Sequence, residues 1–177
     1  MIQIPDPSQT GGLETALEAV LFVAQEPLPA RRLAEVLGAD AGAVENALAL
    51  LKQRYAGPQR GVHLQEIAGG WRLLSNPACA NALASLRAPR GPERLSPAAL
   101  ETLAIVAYKQ PVSRAEIERI RGVAVGPLLR TLLDLDLVKV VGREEELGRA
   151  LLYGTTRTFL DRFGLKSAKD LPASPEL

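Results

Sequence analysis

The chain repeats itself at a fixed spacing, and that repeat limits its fold more than any other feature. Gln25-Glu26-Pro27-Leu28 and Lys109-Gln110-Pro111-Val112 set two prolines 84 residues apart. The same offset carries Leu33 onto Ile117, Val36 onto Ile120, Gly38 onto Gly122, Val44 onto Leu128, Leu48 onto Leu132 and Leu51 onto Leu135. Backwards, Val20, Leu21 and Phe22 fall on Ala104, Ile105 and Val106. Apolar meets apolar, and glycine meets glycine. A chain of 177 residues fits one domain by length. The repeat divides it into two small units built on one plan.

Local signals give each unit the same order of elements. In the second unit, Ser96-Pro97 opens a helix with Ser as N-cap and Pro at the first helical position. That helix runs to about Tyr108. Ser113-Arg114-Ala115-Glu116 has the form of a capping box and starts a short second helix that ends at Gly122. Gly126-Pro127 opens a third, with Leu128, Leu132 and Leu135 at helical spacing. Leu137–Val141 and Ala150–Tyr153 read as strands around a charged turn carrying Glu144, Glu145 and Glu146. The first unit repeats this with helices over Leu13–Gln25, Ala30–Leu37 and Ala43–Tyr55. Strands Val62–Ile67 and Trp71–Ser75 follow. Each unit closes with a further helix, Ala78–Leu86 and Thr156–Phe163. Three helices and a hairpin form the winged-helix plan. The expected fold is mainly α with small β wings: two tandem winged-helix domains joined by a Pro/Gly/Arg linker. The domains are expected at 1–86 and 95–168, with the linker at 87–94 and a flexible tail at 169–177.

Composition narrows the function classes. The chain has 21 basic and 20 acidic residues, and each half is balanced in sign, with 8 basic and 8 acidic groups in residues 1–90 and 13 and 12 in residues 91–177. A protein whose affinity comes from neutralising phosphates shows a basic footprint, and no such excess exists here. His63 is the only histidine and Cys79 the only cysteine, so neither an ordinary His/Cys metal cluster nor an intramolecular disulfide can form. Cys79, in an Ala-rich helix, is expected to be a small buried hydrophobe. A Ser–His–carboxylate triad would have to use His63 on a hairpin strand. No Gly-Lys-Ser/Thr phosphate loop is present. The expectation is a protein that is not an enzyme, without cofactor or metal. The first 12 residues do not read as a signal peptide, and the longest apolar run, Ala19–Ala24, is far short of a membrane span.

In a DNA-reading winged helix the third helix enters the major groove and presents basic or amide side chains near its start. Here Pro127–Asp136 carries one basic residue against Asp134 and Asp136, and the basic groups of the first unit's third helix, Lys52 and Arg54, lie at its far end. Sequence-specific DNA recognition is therefore not expected. The first helices carry the positive signal. Ala16–Ala24 and Leu103–Tyr108 are apolar nearly all round, as in helices that pack on more than one side. At ~100° per residue, Leu100, Leu103 and Ala107 share one side, and Ile105 projects between Glu101 and Thr102 on the other. Leu21 holds the same place near Glu14 and Glu18.

The run Leu-Ser-Pro-Ala-Ala-Leu-Glu-Thr-Leu-Ala-Ile-Val-Ala-Tyr-Lys at Leu95–Lys109 continues into Gln-Pro-Val-Ser-Arg-Ala-Glu-Ile-Glu-Arg-Ile-Arg-Gly-Val. It closely resembles the bacterial segregation and condensation protein B (ScpB) family. The likeness continues through Leu129–Leu133, Val140–Arg143, Gly148–Thr156 and Phe163–Ser167. Ala150 stands where the family often has proline. The first half matches more loosely, through Glu18–Val23 and Trp71-Arg72-Leu73. The resemblance implies a non-enzymatic tandem winged-helix subunit acting in chromosome condensation and segregation. It implies a homodimer formed through the first domains. It also implies a kleisin partner (segregation and condensation protein A) bound largely through the second domains, and through it an SMC ATPase. The expected location is the cytoplasm, with the nucleoid reached through the complex. On this reading Leu17, Leu21 and Phe22 are expected at the dimer interface and Ile105, Val106 and Tyr108 at the kleisin surface. The alternative is a DNA-binding regulator with paired winged helices.

Overall fold

The computed structural model describes residues 12–84, 95–145 and 149–173. The expected linker at 87–94, the first ten residues, Glu146 in the second hairpin turn and residues 174–177 lie outside that set. The chain divides into two compact units, Met1–Arg90 and Gly91–Leu177. Both are mainly helical with a small antiparallel sheet.

The first unit begins with α1 (Gly12–Val23), α2 (Ala30–Leu37) and α3 (Ala41–Arg54). Leu17 and Leu21 of α1, Leu33 of α2, and Val44, Leu48 and Leu51 of α3 are fully buried together. The spacing of Val44, Ala47, Leu48 and Leu51 gives α3 one continuous inward stripe. Asp40 caps α3 by accepting from the Ala43 amide at 3.0 Å. Gly38 ends α2 in the left-handed region, φ 59°, where a side chain is costly. Strands β1 (Val62–Ile67) and β2 (Gly70–Ser75) pair from Val62↔Ser75 to Ile67↔Gly70. Ala68 and Gly69 both take positive φ, as a two-residue hairpin turn with the strands' twist requires. Leu28 exchanges both backbone hydrogen bonds with Trp71, at 3.0 and 2.8 Å, so the segment before α2 joins the sheet. This added bridge has no alternating pattern in sequence. After the hairpin come a 3₁₀ turn at Pro77–Cys79 and α4 (Ala80–Ala84). Cys79, expected to be buried, is only half-buried, because this turn sends no side chain into the core.

The second unit opens with α5 (Pro97–Lys109), capped by Ser96 accepting from the Ala99 amide at 3.2 Å. A two-residue strand, β3 (Val112–Ser113), leads into α6 (Arg114–Arg121) and α7 (Gly126–Asp134). Then come β4 (Val138–Arg143), β5 (Leu151–Thr155) and α8 (Arg157–Phe163). The sheet order is β3-β5-β4, with Val112 opposite Tyr153 as Leu28 stands opposite Trp71. The pairing of β4 shifts between Val140 and Gly142, so Val140 and Val141 are both exposed. Gln110 ties the C-terminus of α5 to the sheet. Its Oε1 accepts from the Thr155 amide at 2.7 Å and the Thr155 hydroxyl at 3.0 Å, while its Nε2 donates to the Ala107 carbonyl at 3.0 Å.

Two local expectations fail here. Ser113 precedes α6 as proposed, but its side chain makes no cap bond. Pairing with Leu152 in β3 fixes it, and Glu116 holds Arg119 at 2.6 Å instead. Residues 169–172, expected as part of a flexible tail, carry local structure. Ser167 and Asp170 form a capping box around a 3₁₀ turn, Leu171 packs on the core, and Pro172 accepts from the Tyr108 hydroxyl at 2.9 Å.

Candidate protein-interaction surfaces

The sequence-derived interface residues separate sharply by burial. On α1, Leu17 and Leu21 point into the core, and Phe22 is 82% exposed with Val23 beside it at 76%. Only Phe22 of the three is available to a partner. Glu14 and Glu18, read as markers of an outer face, are engaged at the end of α3: Glu14 pairs with Arg54, and Glu18 accepts from the Tyr55 hydroxyl. That carboxylate holds the Tyr55 phenol above its ordinary value, with burial adding to the rise. The polar residues therefore flank the buried stripe, and Leu21 lies inside it.

The same correction applies to α5. Ile105 is 3% exposed and Val106 is fully buried, so neither forms a surface. The reason is Thr102. Its hydroxyl donates to the Ala98 carbonyl at 2.9 Å and accepts from Arg121 at 2.8 Å, which lets a polar side chain sit in the core. The helix turns Thr102, Ile105 and Val106 inward and leaves Leu100, Ala104 and Tyr108 on the open side.

Two apolar faces result. On the first unit, Thr15, Glu18, Ala19 and Phe22 follow one stripe of α1 and border a depression closed by Leu73 and Leu74 of β2. On the second, Leu100, Ala104 and Tyr108 face Phe159 and Phe163 of α8 across a groove of about 340 Å³. Phe159 and Phe163 stack at 4.7 Å, and Leu171 and Pro172 wall the groove's end. Neither face has the convergent titratable groups of a catalytic site. His63, the chain's one histidine, sits on β1 with Nε2 3.2 Å from Gln65 Oε1. Among the described residues no three His, Cys, Asp or Glu side chains gather as metal ligands, and no helix is long and apolar enough to cross a membrane.

The outward side of α3 presents Glu45, Asn46, Ala49 and Leu50. The outward side of α7 presents Pro127, Arg130, Leu133 and Asp134. The arginines of α6 are tied to carboxylates: Arg114 to Glu118, Arg119 to Glu116 and Arg121 to Glu101.

Residues 15–174 match the family model described as "Segregation and condensation complex subunit ScpB". The chain belongs to this family. Segregation and condensation protein B of Moorella thermoacetica is 48% identical over 160 residues, covering 90% of this chain and 82% of that protein. ScpB from Mycobacterium tuberculosis, a solved structure, is 36% identical over 88% of this chain and 96% of that one, with a TM-score of 0.41. A solved dimer of a ScpB N-terminal domain complexed with a ScpA peptide is 26% identical over 44% of this chain and 96% of that one, also at 0.41. The two apolar faces are thus those of a ScpB-family chain, a subunit of the segregation and condensation complex. Leu100, expected on one side with the core residues Leu103 and Ala107, is exposed on the second face. No local pattern marks it, because the rotation of α5 is fixed by the bond between Thr102 and Arg121.

Proposed function

We propose that this chain is a non-enzymatic scaffold subunit of a bacterial SMC–kleisin complex, acting in chromosome condensation and segregation as a homodimer that holds the kleisin ScpA. The family match over residues 15–174 carries this reading. Each unit is read as a winged helix, with β1–β2 and β4–β5 as the wings. The second copy joins through the first unit, where Phe22 and Val23 are exposed. ScpA engages the second unit along the groove of Leu100, Tyr108 and Phe163. The related ScpB domain that carries a ScpA peptide is N-terminal, so contact of ScpA with the first unit belongs to the reading too. ATP hydrolysis belongs to the SMC partner, and the location is the cytoplasm at the nucleoid. The third helices, poor in basic groups at their starts, support a protein-binding role over sequence-specific DNA reading.

Light scattering on the full chain, alone and with ScpA of the same bacterium, tests this. The expected masses are a dimer alone and a stable complex at moderate salt. A monomer that ignores ScpA and prefers one duplex over random DNA by ~10³ or more would overturn it.

A further inference from the structure

The groove on the second unit is open at one end and closed at the other. Leu100 is 45% exposed, and Ala107, two turns further along α5, is 5% exposed. The chain that follows α8 closes the far end. Gly164 ends α8 in the left-handed region, φ 68°, and the Leu165 amide donates to the Leu160 carbonyl at 2.9 Å. The next residues reach the C-terminal end of α5. There Leu171 packs on the core, and the Pro172 carbonyl accepts from the Tyr108 hydroxyl at 2.9 Å. The internal repeat marks this cover as an addition to the shared plan. The position 84 residues before Ala107 is Val23, which is 76% exposed. Among the described residues of the first unit, the chain after the hairpin is a 3₁₀ turn and α4, neither with a buried residue. The cover is held by contacts that open at small cost. Within it, the Ser167 amide and hydroxyl donate to Asp170 at 2.8 and 2.9 Å, and the Lys169 amide donates to the Ser167 hydroxyl at 3.3 Å. Against α5 it sets the half-buried Leu171, Pro172 and the exposed Tyr108 bond, which water can replace.

We infer that Ser167–Pro172 is a strap that occupies the Tyr108 end of the groove in cis and is displaced when ScpA binds. The inference rests on the reading that ScpA takes this groove. A helix laid in an apolar groove anchors through side chains one and two turns apart. Leu100 to Tyr108 spans about 12 Å at ~1.5 Å per residue, room for two such anchors. With the strap down, only the Leu100 end is free to receive one. The strap also shows what the covered end takes: an apolar side chain beside a backbone carbonyl that accepts from Tyr108. The last turn of an amphipathic helix offers both, because its final carbonyls have no partner within the helix. ScpA and the strap then compete for one place. A strap closed ~90% of the time lowers the affinity for ScpA about tenfold.

Calorimetric titration of the full chain with ScpA of the same bacterium tests this. Leu171→Ala removes the side chain that fills the groove's end. Asp170→Ala unties the strap from a residue that is exposed and does not line the groove, so its effect must pass through the strap. Both variants should bind ScpA about three- to tenfold more tightly than the wild type, with unchanged circular dichroism. In the wild type, the methyl resonances of Leu171 should move to those of a solvent-exposed leucine as ScpA is added. Leu100→Asp, at the open end, should weaken ScpA binding about tenfold or more. If Leu100→Asp binds ScpA as the wild type does, the groove reading and the inference fall together. If Leu100→Asp weakens binding and neither strap variant tightens it, the inference alone falls. Strap variants that bind ScpA more weakly would also overturn it, since the strap would then be a wall of the site. So would Leu171 methyl resonances that keep their positions in the complex.

Discussion

Arg121 of α6 donates to the hydroxyl of Thr102 on α5 at 2.8 Å. The same Nη1 donates to the Ala98 carbonyl at 2.7 Å, and Nη2 lies 3.0 Å from the Glu101 carboxylate. An arginine and a threonine thus occupy the junction of two helices with their polar atoms satisfied, and this fixes which face of α5 is inside. Thr102→Val keeps the shape and removes the hydroxyl, at an expected cost of ~1 kcal/mol. Arg121→Ala removes charge-assisted bonds and should cost ~1.5–3 kcal/mol. Urea denaturation followed by circular dichroism measures both. If both variants match the wild type, the pair does not set the helix's rotation.

The rotation also ranks substitutions along α5. Ile105→Ala deletes a buried side chain and should cost ~2–5 kcal/mol. Leu100→Ala, on the open side, should stay within ~0.5 kcal/mol. Ile105→Asp would bury a carboxylate with no partner and should unfold the second unit before any binding is tested. Thermal melts of the free variants give the ranking. The reverse order would put Ile105 on the surface.

The helices were legible because their signals are local. Ser96-Pro97, Gly38, Gly122 and Gly164 mark ends by backbone chemistry that needs no tertiary partner. The third strand of each unit was not legible. Leu28 and the Val112-Ser113 pair join their sheets through backbone bonds to distant residues, and one or two residues cannot show a period. The interface residues failed for a related reason. Helical spacing gives relative angles around an axis, and the absolute direction inward was assigned from Thr102 and Glu18 as outward markers. Thr102 is buried against Arg121, and Glu18 is bound to Tyr55, contacts spanning 19 and 37 residues. No local pattern encodes them.

Gly70 tests the Leu28–Trp71 bridge. A Cβ built there would lie 2.7 Å from the Pro27 carbonyl carbon and 2.8 Å from that of Leu28. Both are backbone atoms, so neither can swing aside. Gly70→Ala should therefore separate the segment before α2 from β2 and destabilise the first unit by ~1–3 kcal/mol. Fast hydrogen exchange at the Leu28 and Trp71 amides should accompany the loss. Gly69→Ala, with open space around its Cβ but φ 69°, should leave the bridge protected. Unchanged protection in Gly70→Ala would mean that the close approach is absent in solution.

Glu118 gives the pH dependence. One oxygen, Oε1, accepts from the Val125 amide at 2.9 Å and from Arg114 Nε at 2.8 Å. The carboxylate thereby holds the start of α7, where Val125 has no side-chain cap of its own. The Val125 amide, and after it Arg114, lower the Glu118 carboxyl below its ordinary 4.5. A carboxyl lowered in the folded state favours folding once it is charged. Its contribution is therefore complete above 4.5 and is lost as pH falls through the lower folded value. The Val125 amide resonance should titrate with a midpoint below 4.5, and Glu118→Gln should abolish that titration. The same variant should be less stable than the wild type near neutral pH, and the gap should narrow as pH falls below 4.5. A Val125 midpoint at or above 4.5, or a stability gap that widens in acid, would show that the carboxylate does not hold this turn.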